Sequence, residues 1–470
     1  MKEPPRKRNV GPRKKPSQQR AERPAKSPVF NRLAVIGMGL IGSSIARAAR
    51  AQGAVRSIAA TARSAATRRR VAELGLADQV VESNAAAVEG ADLVIVCIPV
   101  GACGAVAAEI GSHLAPGAIV SDAGSVKAAV VRDMSPHLPA TAHFLPAHPV
   151  AGTERSGPDA GFAELFVNRW CIITPPPGAD PAAVERLKAF WGLLGANVET
   201  MSAEHHDLVL GITSHLPHLI AYTIVGTASE LTELMHSRLG HLASGAFRDF
   251  TRIAASDPTM WRDIFLANRD AVLEMLGTFV EDLATLTRAM RSADGETLLH
   301  HFTKVRAIRK YIAHADKQLA LPRVDADEIK DHWTSQYGPL LAITSHLPHL
   351  IAYTIVGTAD ELSKVTRSEV LQFSAGGFRD FTRIAVSSPT YWRDVLLNNK
   401  TSVFEVLGRF NEDLAQLTRA IRRKDGEALF NFFSRARAIR RSIVEINYRA
   451  PRLPRELPPE PLRRPYATED

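Results

Sequence analysis

The sequence predicts an α/β domain built on a parallel sheet, followed by an all-α domain that occurs twice. Three observations predict it. Strand and helix patterns alternate over about 170 residues from position 30, strand signals vanish from about Ala203, and Ile212–Ile312 aligns with Ile343–Ile443 at a constant offset of 131 without a gap. A length of 470 residues accommodates two to four domains, each with a core of its own. With 45% hydrophobic and 23% charged residues, the chain has the balance of a globular protein, which excludes a collagen-like or wholly disordered one.

Residues 1–29 read as a disordered basic tail. Positions 1–28 hold ten Lys or Arg against Glu3 and Glu22, so about +8 of the net +9 sits there and the body is nearly neutral. A Pro-rich arm without aromatic residues is a solvated segment, and no specific nucleic-acid partner follows from it. It lacks the apolar core of a secretory signal. No apolar run reaches the ~18 residues of a membrane helix, because Gly, Pro, His or Asp interrupts each candidate, so no membrane partner is expected. The three cysteines, Cys97, Cys103 and Cys171, are too few for a disulfide framework or a zinc site, which makes the cytoplasm the expected location.

Residues 30–200 form the predicted α/β domain. Leu33–Ile36 reads as a buried strand and is followed by Gly37-Met38-Gly39-Leu40-Ile41-Gly42 and an Ala-rich helix to Arg50. Strands follow at Ser57–Thr61, Leu93–Ile98, Ala118–Ser121 and Trp170–Thr174, with helices at Ala66–Leu74 and Ala102–Leu114. The alternation argues for a parallel sheet covered on both faces. Between a strand and a helix the three glycines have a mechanism. Gly37 permits the tight turn, Gly39 admits a pyrophosphate to the backbone, and Gly42 packs helix on strand. Leu40 and Ile41 lie in the same turn, so Gly37 to Gly42 is the expected cofactor loop of a Rossmann-type domain. An acid would sit about twenty residues further on in a site for NAD, on the ribose 2′-hydroxyl. Here Arg63 and Ser64 stand in that stretch and suit a 2′-phosphate, so NAD(P)+ is expected with a leaning to NADP+. The other reading of these arginines is a solvated helix face.

Two polar segments follow strand ends. Asp122-Ala123-Gly124-Ser125-Val126-Lys127 and His148-Pro149-Val150-Ala151-Gly152-Thr153-Glu154 put Ser125 and His148 where a doubly wound sheet borders its crevice. His148 is expected in a Gly-rich loop. In the helical part, 201–315, Ser214-His215-Leu216-Pro217-His218 sets two imidazoles three residues apart. No third ligand has matching spacing, so no metal is expected; polar contacts to a substrate, or N-capping by Ser214, fit better. Arg248 and Arg252 lie four apart, on one face if helical, where at least one could clamp a carboxylate. An internal pair of Arg248 with Asp249 or Glu281 is the alternative.

The repeat covers 343–446, with 316–342 as a linker carrying a short helix and 447–470 as a disordered tail. Roughly 60 of about 100 aligned positions are identical, and both copies open with ITSHLPHLIAYTIVGTA. A unit of this length is a duplicated domain and not a short-period array. Copy 2 has Tyr337-Gly338 where copy 1 has His206-Asp207, and Gly377 where copy 1 has Ala246. A glycine is expected at the latter position beside Arg248.

The ordered set GMGLIG, DAGSVK, HPVAGTE, SHLPH, FRDFTRIAASDP and Trp261, from about Arg32 to Ile312, resembles the prephenate/arogenate (cyclohexadienyl) dehydrogenase family. The resemblance implies a Rossmann-type domain, a helical dimerisation domain, and an active site in the cleft between them. It implies oxidative decarboxylation of prephenate to 4-hydroxyphenylpyruvate, or of arogenate to tyrosine, with NAD(P)+ as hydride acceptor. It further implies that His148 is the catalytic base, Ser125 orients hydroxyl and nicotinamide, Arg252 binds a substrate carboxylate, His215 and His218 line the side-chain pocket, and Glu154 gates it. Prephenate against arogenate stays open, since they differ only in a keto or amino group. Rival readings are a dehydrogenase of the β-hydroxyacid type and a non-catalytic dinucleotide-binding assembly protein. Two near-identical helical domains on one chain are expected to pair as an intrachain pseudo-dimer, the alternative being a homodimer through copy 1.

Overall fold

The computed structural model describes residues 27–153, 155–234, 245–315, 338–366, 370–374 and 376–449. The expected basic tail lies almost wholly outside these residues, as do most of the linker with its short helix, the C-terminal tail beyond Arg449, and Glu154.

The first domain is built on β1 (Phe30–Ile36), β2 (Val55–Thr61), β3 (Gln79–Val80), β4 (Leu93–Val96), β5 (Ile119–Asp122) and β6 (His143–Phe144). All pair in parallel, in the order β3-β2-β1-β4-β5-β6. β4 and the second half of β1 are buried on both faces, which explains their unbroken apolar runs. Helices α1 (Leu40–Ala51), α2 (Ala65–Glu73), α3 (Asn84–Val88), α4 (Cys103–Ile110) and α5 (Lys127–Met134) cover the sheet. Side chains on one face of the sheet, such as Leu33, Val35 and Ile95, pack with α1 and with α6 (Pro181–Leu193). Those on the other, such as Val94, Val96 and Val120, join a core that runs without a break into the helical half of the chain.

Trp170–Thr174 does not extend the parallel sheet as expected. β8 (Trp170–Ile173) pairs antiparallel with β7 (Ala147–Pro149) and parallel with β9 (Asn197–Thr200), giving a separate three-stranded sheet. His148 therefore sits on a strand and not in a loop.

The helical half begins with α7 (Ala203–Leu210), which passes through a π-helical turn at Gly211–His215 into α8 (Leu216–Leu234). The extra residue per turn lies where Pro217 lacks an amide hydrogen and its ring would meet the Thr213 carbonyl. Because the helix is continuous, Ser214 is no N-cap. There follow α9 (Gly245–Phe250), a 3₁₀ turn at Arg252–Ala255, α10 (Pro258–Ala267), α11 (Arg269–Arg291) and α12 (Gly295–Ala315). Copy 2 repeats this order: α13 (Gly338–Leu341), a π turn at Ala342–His346, α14 (Leu347–Thr366), α15 (Gly376–Phe381), a 3₁₀ turn at Arg383–Val386, α16 (Pro389–Asn398), α17 (Lys400–Arg423) and α18 (Gly426–Arg449). It thus starts inside the expected linker, at Gly338, and ends a little beyond 446. Read as single helices, Ala203–Leu231 and Gly338–Thr366 are long and apolar enough to cross a membrane, contrary to expectation, yet most of each is buried in the core.

The two copies pack on each other through contacts that recur in reverse. α8 packs on α17 and α18, and α14 packs on α11 and α12. Tyr222 stacks on Phe433 with ring centroids 4.5 Å apart, and Tyr353 on Phe302 at 4.4 Å. Thr227 donates to Asp413 and Thr358 to Asp282, each at 2.5 Å. Phe250 and Phe381, equivalent residues, stack on each other at 3.9 Å. Such reciprocity is the mark of an isologous interface, here between two segments of one chain.

Candidate active site

The Gly-rich turn meets its steric expectations. Gly37 has φ of +96°, and a Cβ there would lie 2.4 Å from the Cys97 carbonyl oxygen. A Cβ on Gly42 would lie 2.0 Å from the Gly37 carbonyl oxygen, whereas one on Gly39 would have nothing within 4 Å. Gly39 also caps α1 without a side-chain hydrogen bond. The first and third glycines thus hold helix to strand, and the second leaves an open approach to the amides that begin α1 at Leu40 and Ile41. β1 lies between β2 and β4, where the strand order reverses, so the crevice falls at this turn. The cradle fits a dinucleotide pyrophosphate at a helix N-terminus.

Beyond the end of β2, Arg63 is exposed at the rim. Ser64 already serves α2, accepting a hydrogen bond from the Thr67 amide at 3.0 Å. Arg68 turns back onto the carbonyls of Ala62 and Arg63, and Arg70 is paired with Asp159 and Glu73.

His148 is held from both domains. A buried Asp122–Lys127 ion pair grips the preceding residue: the Ala147 amide donates to Asp122 Oδ1 at 3.1 Å, and Lys127 Nζ donates to the Ala147 carbonyl at 2.8 Å. From the helical half, Asp207 accepts the Lys127 amide (2.7 Å) and the Ala128 amide (2.9 Å), capping α5, on whose N-terminal side Ser125 lies. His206 Nδ1 lies 2.8 Å from Asp207 Oδ1, and its Nε2 lies 2.9 Å from His148 Nδ1.

These contacts assign the tautomers. Asp207 meets two backbone N–H donors, as a carboxylate does, so His206 Nδ1 donates to it and His206 Nε2 accepts from His148 Nδ1. The proton-free nitrogen of His148 is then Nε2. Burial first, then His206 and Lys127, hold His148 well below 6.5. It is a neutral base at neutral pH.

The helical pocket adds His215, His218, Trp261 and Arg252. His215 Nδ1 accepts from Asn268 Nδ2 at 2.9 Å, which puts the ring proton on Nε2, a buried atom with no hydrogen-bond partner among the described residues. Burial pushes His215 down to about 3. His218 donates from Nδ1 to the Ser214 carbonyl at 2.8 Å, stacks on Trp261 with centroids 3.6 Å apart, and is likewise pushed by burial to about 3.

Arg252 lies in the 3₁₀ turn after α9, so it does not share a helical face with Arg248 as expected. Its Nη2 donates to Asp380 of copy 2 at 2.6 Å, and Asp249, one of the two partners expected for Arg248, pairs with Arg383 of copy 2. Copy 2 also closes the cleft elsewhere. Trp170 Nε1 donates to the Gln372 carbonyl at 2.8 Å, and a Cβ on Gly377 would lie 3.8 Å from His218 and 3.6 Å from Ile253. The close approach to copy 1's pocket is therefore made by copy 2's glycine, and Ala246 occupies the reciprocal position. Of the residues singled out from sequence, the structure groups His148, His215, His218 and Arg252, with the glycine turn and Ser125 on the sheet side. Sequence reasoning missed His206, Asp207, Asp122, Lys127, Asn268 and Asp380 as contributors. The one available signal was that copy 2 lacks the His206-Asp207 pair.

The nucleotide-binding domain of prephenate dehydrogenase matches residues 45–200, and the dimerization domain of prephenate dehydrogenase matches 202–304 and again 335–435. The chain is 43% identical over 281 residues to a cyclohexadienyl dehydrogenase of Zymomonas mobilis, covering 60% of this chain and 96% of that one. It is 33% identical over 274 residues to a prephenate dehydrogenase of Bacillus subtilis, covering 58% and 74%. A crystal structure of prephenate dehydrogenase from Aquifex aeolicus in complex with hydroxyphenyl propionate and NAD+ superposes with a TM-score of 0.56 at 32% identity, covering 61% of this chain and all of the other.

Proposed function

The chain belongs to the prephenate dehydrogenase family, and on that premise we propose that it oxidatively decarboxylates prephenate to 4-hydroxyphenylpyruvate, and/or arogenate to tyrosine, in cytoplasmic tyrosine biosynthesis. The observation that carries the reading is the Asp207–His206–His148 relay, which leaves Nε2 of His148 unprotonated near a buried His215 N–H that has no partner among the described residues.

The residues of the turn from Gly37 to Gly42 would hold the dinucleotide, which when bound supplies the hydride acceptor. His148 Nε2 takes the ring hydroxyl proton as hydride leaves the same carbon. The pair of the ring C–CO₂⁻ bond then closes the aromatic ring, CO₂ departs, and His148 returns its proton to the phenolate oxygen. Asp207 and His206 keep His148 in the tautomer this needs. Ser125 orients the hydroxyl against the nicotinamide, and His215 and His218 contact the side chain. Arg252 binds a carboxylate; with five N–H donors it can keep Asp380 while doing so. Glu154, outside the described residues, takes the role of gate only from the family resemblance. Arg63 supports a leaning to NADP+, since it would meet a 2′-phosphate where an acid would repel one.

Initial rates of reduced-cofactor formation with prephenate and arogenate, each with NAD+ and NADP+, test the reading. Turnover of either cyclohexadienyl compound and none of β-hydroxyacids is the expected result. Dinucleotide binding without turnover of either overturns it.

A further inference from the structure

Copy 2 repeats the polar and aromatic side chains of the helical pocket, with Ala246 where copy 1 is met by Gly377, and no Gly-rich strand–turn–helix stands between the two copies. His346 Nδ1 accepts from Asn399 at 2.9 Å, the distance found for His215 and Asn268. His349 Nδ1 donates to the Ser345 carbonyl at 2.8 Å and stacks on Trp392 at 3.5 Å and 19°, against 3.6 Å and 20° for His218 on Trp261. Arg383 pairs with Asp249 of copy 1 as Arg252 pairs with Asp380.

What copy 2 lacks is the means to dock or activate a dinucleotide domain. Gly338 cannot cap a helix as Asp207 caps α5, and Tyr337 cannot replace His206 in the relay. About two in five aligned positions differ between the copies, yet Ser345, His346, His349, Arg383, Trp392 and Asn399 are all unchanged. These are costly groups to keep without a ligand: burial holds His346 down to about 4 and His349 to about 3. The Nε2–H of His346, the Trp392 indole face and a guanidinium with spare N–H groups are the chemistry of an aromatic carboxylate.

We propose that copy 2 forms a second, non-catalytic binding site for an aryl carboxylate, built from His346, His349, Trp392 and Arg383. The inference rests on the proposed function for the ligand class, and on the repeated side-chain contacts for the site itself. Asp249, the partner of Arg383, lies three residues before Arg252, so a carboxylate engaging Arg383 acts next to the catalytic pocket. Calorimetric titration of the full chain with hydroxyphenyl propionate, with NAD+ saturating, tests it. Two equivalents per chain are expected, falling to one in His349→Gln and in Arg383→Ala, while turnover stays within twofold of the unaltered chain. One equivalent in the unaltered chain overturns the proposal, as do two equivalents that survive both substitutions. Turnover of prephenate with a single equivalent bound sinks this site alone; two equivalents without turnover sink the proposed function and leave the site.

Discussion

A neutral histidine buried between two domains is useful only if its proton sits on the right nitrogen, and here that choice is made by residues 58 and 59 positions away in sequence. His148→Asn should leave dinucleotide affinity nearly unchanged and cut turnover by ~10²–10⁴-fold, as loss of a general base does. A fall below tenfold would assign the base elsewhere. His206→Gln keeps a carbonyl able to accept from His148 Nδ1, and His206→Ala does not. Turnover of the alanine variant should therefore lie well below that of the glutamine variant, at equal cofactor affinity; equal loss in both would reduce His206 to a packing role. Because burial lowers His148, the acid limb of kcat/KM should lie below pH 6.5, since protonation removes the base only there. A limb at or above 6.5 contradicts this assignment.

At the level of elements, the strand–turn–helix at residues 30–51 separates structural from ligand-facing glycines. Gly42→Ala forces a methyl against the Gly37 carbonyl and should cost ~1–3 kcal/mol, as overpacking does. Gly39→Ala meets open space, so its melting temperature should hold while dinucleotide affinity falls about tenfold, the equivalent of ~1.4 kcal/mol. Melting curves and cofactor titrations on both variants check the split; a Gly39→Ala protein with full affinity would move the pyrophosphate off this turn. β7 shows the opposite case to β1. Three residues, Ala-His-Pro, carry no periodicity, and they form a strand only because β8 and the Asp122–Lys127 pair meet them.

For the whole molecule, two copies that meet through reciprocal contacts and are joined covalently experience roughly millimolar effective concentration, which favours pairing within the chain. The full chain should scatter light as a monomer of 51.2 kDa, and a truncation after about Ala320 should dimerise. A stable full-length dimer with copy 2 dispensable would sink that arrangement. The buried imidazoles also set acid stability. His215, His218 and His349 are held near 3 and His346 near 4 in the fold, against ~6.5 in the unfolded chain. Between those limits the unfolded state binds more protons, so this contribution is full above about pH 6.5 and is lost as pH falls, by up to ~1.4 kcal/mol per pH unit for each imidazole. Melting temperature should drop steeply from pH 7 to pH 5; a flat profile would show these groups protonated in the fold.

The sequence by itself determined what rests on short range. A strand, a glycine turn and a helix are neighbours in the chain, so Gly37, Gly39 and Gly42 announce the cofactor loop, and an offset of 131 announces the repeat. Periodicity also located the change from α/β to all-α near 200. What joins distant residues was decided only by the tertiary structure. Arg252 meets Asp380, 128 positions on, because the copies pack in reverse, and copy 2 supplies Gly377 and Gln372 to the cleft for the same reason. The continuous helix at Ser214 and the strand at His148 likewise follow from packing around Pro217 and Asp122, since local propensity at those positions points elsewhere and burial with satisfied hydrogen bonds outweighs it.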